Sequence, residues 1–248
     1  RTAKAAGATV LAIVNAAGSS LTREADAVVL LQAGTEISVA ATKSYTSQAL
    51  VTLLVTLDLA RRAGALTAED LRSWSTELLT IPAMASAALD ASDALPGIAK
   101  KYFSASGFMF VSRGAGLATA FEGALKLKEL AYIHAEGIAA GEMKHGPISL
   151  LGADHPVVAV VLNSPVLPKL VSNLMESRAR SAPVIAILSG VDDWSSFATD
   201  AVVIPAARPE IAALIATIPL QRFSYEMALL AGADIDQPKN LAKSVTVE

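Results

Sequence analysis

Between Glu122 and Pro147 the sequence reads EGALKLKELAYIHAEGIAAGEMKHGP, which sets four glutamates, three lysines and two of the chain's three histidines into a largely apolar segment. Carboxylates and imidazoles move protons near neutral pH, and primary amines add to carbonyl carbon. Glu122, Lys126, Glu129 and Ile133 recur at i, i+4, i+7 and i+11, the spacing of one helix face. Such a ladder is often only a solvent-facing run of ion pairs. Here Ala118, Ala120, Ala124, Leu125, Leu127, Leu130 and Ala131 flank it, and charged groups on a mostly buried helix need partners and often have work to do. His145 follows the helix-forming AAGEM and precedes Gly146-Pro147, so it is expected on a loop within reach of a ligand or a neighbouring subunit. It is either a structural histidine or a proton carrier. The C-terminal DQPKNLAKSVTVE sets Lys243 among Leu241, Val245 and Val247, which predicts a tail that docks and an amine whose desolvation would depress its pKa.

The elements that must position these groups are legible from short apolar runs. FMFVS (Phe108 to Ser112) and PVVAVVL (Pro156 to Leu162) have strand length and are each followed by a helical stretch, the first helix carrying the ladder. Between FMFVS and that helix stand Gly114 and Gly116. They either let backbone amides approach a phosphate or sugar, or serve a tight turn that needs glycine dihedrals.

Self-similarity extends the pattern. ATVLAIVN at 8 resembles APVIAILS at 182, ADAVVL at 25 resembles TDAVVI at 199, and the turns ending at Glu36 and Glu210 correspond, a constant offset of 174. Two copies of one unit follow, each a parallel sheet covered by helices on both faces, an α/β arrangement of the flavodoxin-like or Rossmann-like three-layer kind. At that offset the counterparts of FMFVS and PVVAVVL fall before Arg1, so the first copy is expected to begin upstream. The predicted organisation is residues 1–62 for the end of the first subdomain, 63–105 for a helical connection opening at the capping-type ALTAEDL, 106–235 for the second subdomain, and 236–248 for the tail.

Composition narrows the function classes. The 248 residues are 53% hydrophobic and 17% charged, enough apolar material for a buried core and against disorder. A net charge of −3 without a basic cluster argues against nucleic acid and anionic membrane surfaces. The longest apolar candidate, around Ala49 to Leu59, is interrupted by Thr52, Thr56 and Asp58, so no membrane span is expected and a cytoplasmic location is the natural expectation. The absence of cysteine removes thiolate chemistry from this chain, and His134 and His145, eleven residues apart, lack metal-ligand spacing, so no metal is expected.

GTEISVAATKSYTSQ (Gly34 to Gln48), the Glu122–Pro147 stretch and the C-terminal DQPKNLAKSVTVE together resemble the sugar isomerase (SIS) family, and within it the isomerase part of the glutamine-fructose-6-phosphate aminotransferases. The resemblance implies two tandem SIS subdomains and isomerisation of a phosphorylated hexose or amino hexose, with a proton moved between C1 and C2 and no cofactor. It implies Glu129 as the base, His145 as the ring-opening group contributed across a homodimer interface, and Lys243 as the amine forming a Schiff base. Glu122 and Lys126 would complete the charged network, and Val39, Thr42 and Ala242 would line the sugar. A glutaminase domain and a hydroxyl-rich phosphate loop are implied upstream of Arg1; NSPVLP (Asn163 to Pro168) holds the equivalent place in the second copy without comparable hydroxyls. Ala41, where the aminotransferases carry serine, is closer to stand-alone SIS deaminases, whereas the tail is closer to the aminotransferases. The alternatives are therefore an isomerising glucosamine-6-phosphate deaminase and a non-catalytic phosphosugar-sensing module.

Overall fold

The computed structural model describes residues 1–244, and the chain divides into two compact units, Arg1–Ser75 and Thr76 onward. In the first, helix α1 (Thr2–Ala5), strand β1 (Leu11–Val14), helix α2 (Ser20–Glu24), strand β2 (Ala27–Leu30) and helix α3 (Lys43–Arg62) follow one another. β1 and β2 pair in parallel, Leu11 opposite Ala27. Helix α4 (Ala68–Leu78) then crosses the boundary. Its start is a reciprocal cap: Asp70 Oδ2 accepts from the Thr67 N–H at 2.8 Å and Thr67 Oγ1 accepts from the Asp70 N–H at 3.1 Å.

The second unit opens with helices α5 (Ile81–Ala91) and α6 (Leu95–Tyr102). It then alternates strands and helices: β3 (Phe108–Ser112), α7 (Gly116–Ala131), β4 (Ala135–Ala139), β5 (Val157–Leu162), α8 (Leu167–Arg178), β6 (Val184–Ser189), β7 (Asp200–Ile204) and α9 (Pro209–Leu230). The five strands form one parallel sheet in the order β4-β3-β5-β6-β7. This is the flavodoxin-like order 2-1-3-4-5. Every residue of β3, β5 and β6 is buried, as continuous Val/Ile/Leu runs require when helices cover both faces. β6, β7 and α9 repeat the succession of β1, β2 and α3; the strands keep the spacing of the internal repeat, whereas α9 begins earlier after β7 than α3 does after β2.

Three expectations need correction. The ladder helix ends at Ala131, so Ile133 does not share its face with Glu122, Lys126 and Glu129. Residues 135–139 form edge strand β4, not a continuation of helix, paired from Ala135 opposite Phe108. AAGEM runs from Ala139, the last residue of β4, into a 3₁₀ turn, Ala140–His145, and is not an α-helix.

Close approach explains one glycine and backbone conformation another. A Cβ on Gly116 would stand 2.4 Å from Ser112 Oγ, and Gly114 has φ +62°, so packing and turn geometry suffice for both.

Candidate active site

Helix α7 turns Lys126 inward and leaves Lys128 exposed. Between Thr119, whose hydroxyl donates to the Ala213 carbonyl on α9 at 2.8 Å, and Leu130 against the core, one face of α7 is buried. Lys126 lies on that face with its side chain 3% exposed. Its ammonium meets Glu129 Oε2 at 2.5 Å and Glu122 Oε1 at 3.3 Å, so a buried cation is held between two carboxylates one turn apart on either side. A buried ammonium without such partners would be strongly disfavoured.

The two carboxylates differ. Glu122, 10% exposed, is pushed above the ordinary carboxyl range first by burial, with Lys126 pulling it down and Glu129 pushing it further up. Its Oε1 has no hydrogen-bond partner, so the 3.3 Å approach of Lys126 is an attraction between charges without hydrogen-bond geometry. Glu129, 22% exposed, faces a cleft of about 570 Å³. Leu125, Lys128, Tyr132, Ile133, His134, Lys239, Asn240 and Leu241 form the rest of its wall.

This position has a geometric cause. A crossover helix between parallel strands runs antiparallel to them, and Glu129 occupies its last turn, just before β4 begins. The cleft is therefore toward the amino ends of the strands, opposite the carboxyl-end loops at which open α/β sheets usually bind ligands.

His145 closes the 3₁₀ turn and is 76% exposed, with Nε2 3.9 Å from Glu142 Oε2, beyond hydrogen-bonding distance. Its turn is held by neighbours. A Cβ on Gly141 would lie 2.6 Å from an Arg113 guanidinium nitrogen, Arg113 Nε donates to Asn173 Oδ1 at 3.1 Å, and Lys144 pairs with Glu176 of α8 at 2.8 Å. His145 does not line the cleft beside Glu129.

In the first unit, Thr42 stands at the start of α3, where Glu36 receives the loose amides. Its Oε1 accepts from the Thr42 N–H at 2.8 Å and the Ser44 N–H at 3.3 Å, and its Oε2 accepts from the Ser44 hydroxyl. A carboxylate at a helix N-terminus is favoured by the orphan amides and the helix dipole. Val39 is half-buried in the segment between.

The tail departs from the expected desolvated amine. Ala242 and Lys243 are exposed and Leu241 is 45% exposed; Val245 and Val247 lie outside the described residues. Upstream, the tail is fastened at Tyr132, which spacing and composition did not single out. Nothing in a tyrosine at the end of a helical pattern announces a partner 107 residues away. Among the described residues no group of three or more His, Asp or Glu side chains is placed to hold a metal ion, and no helix is long and apolar enough to cross a membrane.

Comparison with known proteins gives this geometry a family. The SIS domain model matches residues 1–57 and 101–231. Isomerizing glutamine-fructose-6-phosphate aminotransferases of Thermus thermophilus and Corynebacterium diphtheriae are 44% and 46% identical over the whole chain. The chain spans only 41% of the length of each. Among solved structures, the C-terminal domain of glucosamine-fructose-6-phosphate aminotransferase from Francisella tularensis superposes with a TM-score of 0.87 at 36% identity, over 92% of this chain and 64% of that one. A glucosamine-6-phosphate deaminase from Thermotoga maritima, 20% identical with a TM-score of 0.69 over 95% of this chain and 66% of that one, shares the fold. With its parallel sheets, its internal repeat and a family match over most of its residues, the chain belongs to the SIS domain family.

Proposed function

We propose that this chain is the isomerase part of a glutamine-fructose-6-phosphate aminotransferase, interconverting ketose and aldose forms of a 6-phosphorylated hexose or amino hexose. The observation that carries the reading is the Glu122–Lys126–Glu129 cluster, centred on a buried lysine and opening on a cleft of sugar size, in a chain 44% identical to a relative of that name.

Glu129 carries a proton between C1 and C2, the one carboxylate of the cluster facing the cleft. Lys126 keeps a positive charge beside it, and Glu122 holds Lys126 from the other side. His145 opens the sugar ring by passing a proton to the ring oxygen, contributed to the site of a second copy in a homodimer; its exposed turn away from the cleft suits that role. Lys243 forms an imine with the ketone carbonyl, and Val39, Thr42 and Ala242 line the sugar. Proton transfer and imine formation ask for no cofactor. The organisation follows the same reading, with SIS subdomains at 1–62 and 106–235, a connection at 63–105 and a catalytic tail at 236–248, in a cytoplasmic enzyme supplied with ammonia by a glutaminase domain.

The test is to give the intact protein fructose 6-phosphate with glutamine and, separately, glucosamine 6-phosphate alone. Glutamine-dependent glucosamine 6-phosphate is the expected product, and Glu129→Gln should lower its formation by roughly 10²–10⁴-fold. Ammonia released from glucosamine 6-phosphate without any use of glutamine would replace this reading with a deaminase. Sugar-phosphate binding without turnover would replace it with a sensor.

A further inference from the structure

Tyr132 ends α7 in a left-handed conformation, φ +58°, at a position that helices usually give to glycine. A tyrosine kept there at a conformational cost has contacts to match. Its hydroxyl accepts the Lys239 backbone N–H at 2.7 Å, and the Lys239 ammonium stands 4.4 Å from the centre of its ring. The approach to that point is fixed as well. Asp234 Oδ1 accepts the N–H groups of Asp236 and Gln237, each at 2.9 Å, and Pro238 is buried. Past it, Asn240 turns with φ +64° and the chain runs exposed through Leu241 and Ala242 to Lys243. Tyr132 is three residues from Glu129 and grips the chain four residues before Lys243, and Glu129, Tyr132 and Lys239 wall the same cleft.

We propose that Tyr132 is a positioning residue that fastens the C-terminal tail to the end of α7 and so aims the Lys243 amine at the cleft beside Glu129. The inference rests on the reading of Lys243 as the imine-forming amine. In that step the neutral amine adds to the C2 carbonyl of fructose 6-phosphate, and the carbonyl oxygen leaves as water with both nitrogen-bound hydrogens. Borohydride then delivers hydride to the imine carbon and leaves a stable secondary amine, which mass spectrometry of the Lys243 peptide detects.

The experiment measures the rate of that trapping at saturating fructose 6-phosphate in the intact protein, beside the melting temperature. Tyr132→Gly removes both contacts while suiting the left-handed backbone, so folding is spared. It is expected to trap about tenfold more slowly at an unchanged or raised melting temperature. Tyr132→Phe keeps the ring and loses only the acceptor, and about threefold is expected. Wild-type rates in Tyr132→Gly, or slowing that merely follows a fall in melting temperature, overturn the inference and leave the imine reading standing. No adduct at Lys243 in the wild type overturns both.

Discussion

Glu122 is a carboxyl group that folding makes harder to ionise. Burial raises its pKa from the ordinary value of 4.5, against the pull of Lys126. Between the unfolded and the folded value, folding takes up a proton. The contribution of Glu122 to stability is therefore fullest below 4.5 and is lost as pH rises through the raised value. Glu122→Gln does not titrate, so its melting temperature is expected to gain on the wild type as pH climbs from about 4 to neutrality; a difference that stays flat would show that the carboxyl is not perturbed. Taking the difference matters, because Glu77, whose pKa is lowered chiefly by hydrogen bonding to Arg208, tilts both proteins the other way. At this scale the sequence is legible where the partner is local. Glu122 and Glu129 find Lys126 within one turn, and the i, i+4, i+7 spacing displays that pairing. It is not legible where the surroundings decide: the apolar neighbours of Lys243 in sequence predict a desolvated amine, and the fold leaves it exposed.

Among the elements, β3, β5 and β6 are legible because wholly buried parallel strands are unbroken apolar runs, and the half-buried β7, with Val203 54% exposed, is legible through its likeness to β2. β4 is not. AEGIA has little strand propensity, and its place at the sheet edge comes from pairing with β3 and from Gly137 lying under α7, where a Cβ would stand 2.9 Å from Phe121 Cα. The packing of α7 on α9 depends on a second such approach. A Cβ on Gly123 would come 2.8 Å from Leu220 Cδ1 and 2.9 Å from Phe110 Cε1, and Phe110 is wholly buried. Gly123→Ala gains helix propensity but overfills this seam, and a net loss of about 1–3 kcal/mol is expected from denaturant midpoints. An unchanged or raised midpoint would mean that Leu220 and Phe110 have room to yield.

Across the whole molecule the two units are unequally built. Among the described residues β1 and β2 form a sheet of two strands, Leu11 and Leu30 are 44% and 43% exposed, and α3 buries no residue. Two-stranded sheets are marginal in water, whereas the five-stranded sheet is covered on both faces. In the 248-residue chain, backbone amides of β1 and β2 are expected to exchange with solvent on the order of a hundredfold faster than those of β5 and β6. Equal protection would show that the first unit holds itself together. The repeat pairs β1 and β2 with β6 and β7, but no pattern of residues states how far β1 and β2 stand open.

The seat of Lys126 has one more consequence. Closed off by helix packing and engaged by two carboxylates, its amine is out of reach of acylating reagents for as long as α7 keeps its place. A label on this one lysine is thus a chemical record of the moments when the helix lifted, written at the centre of the cluster on which the proposed chemistry depends.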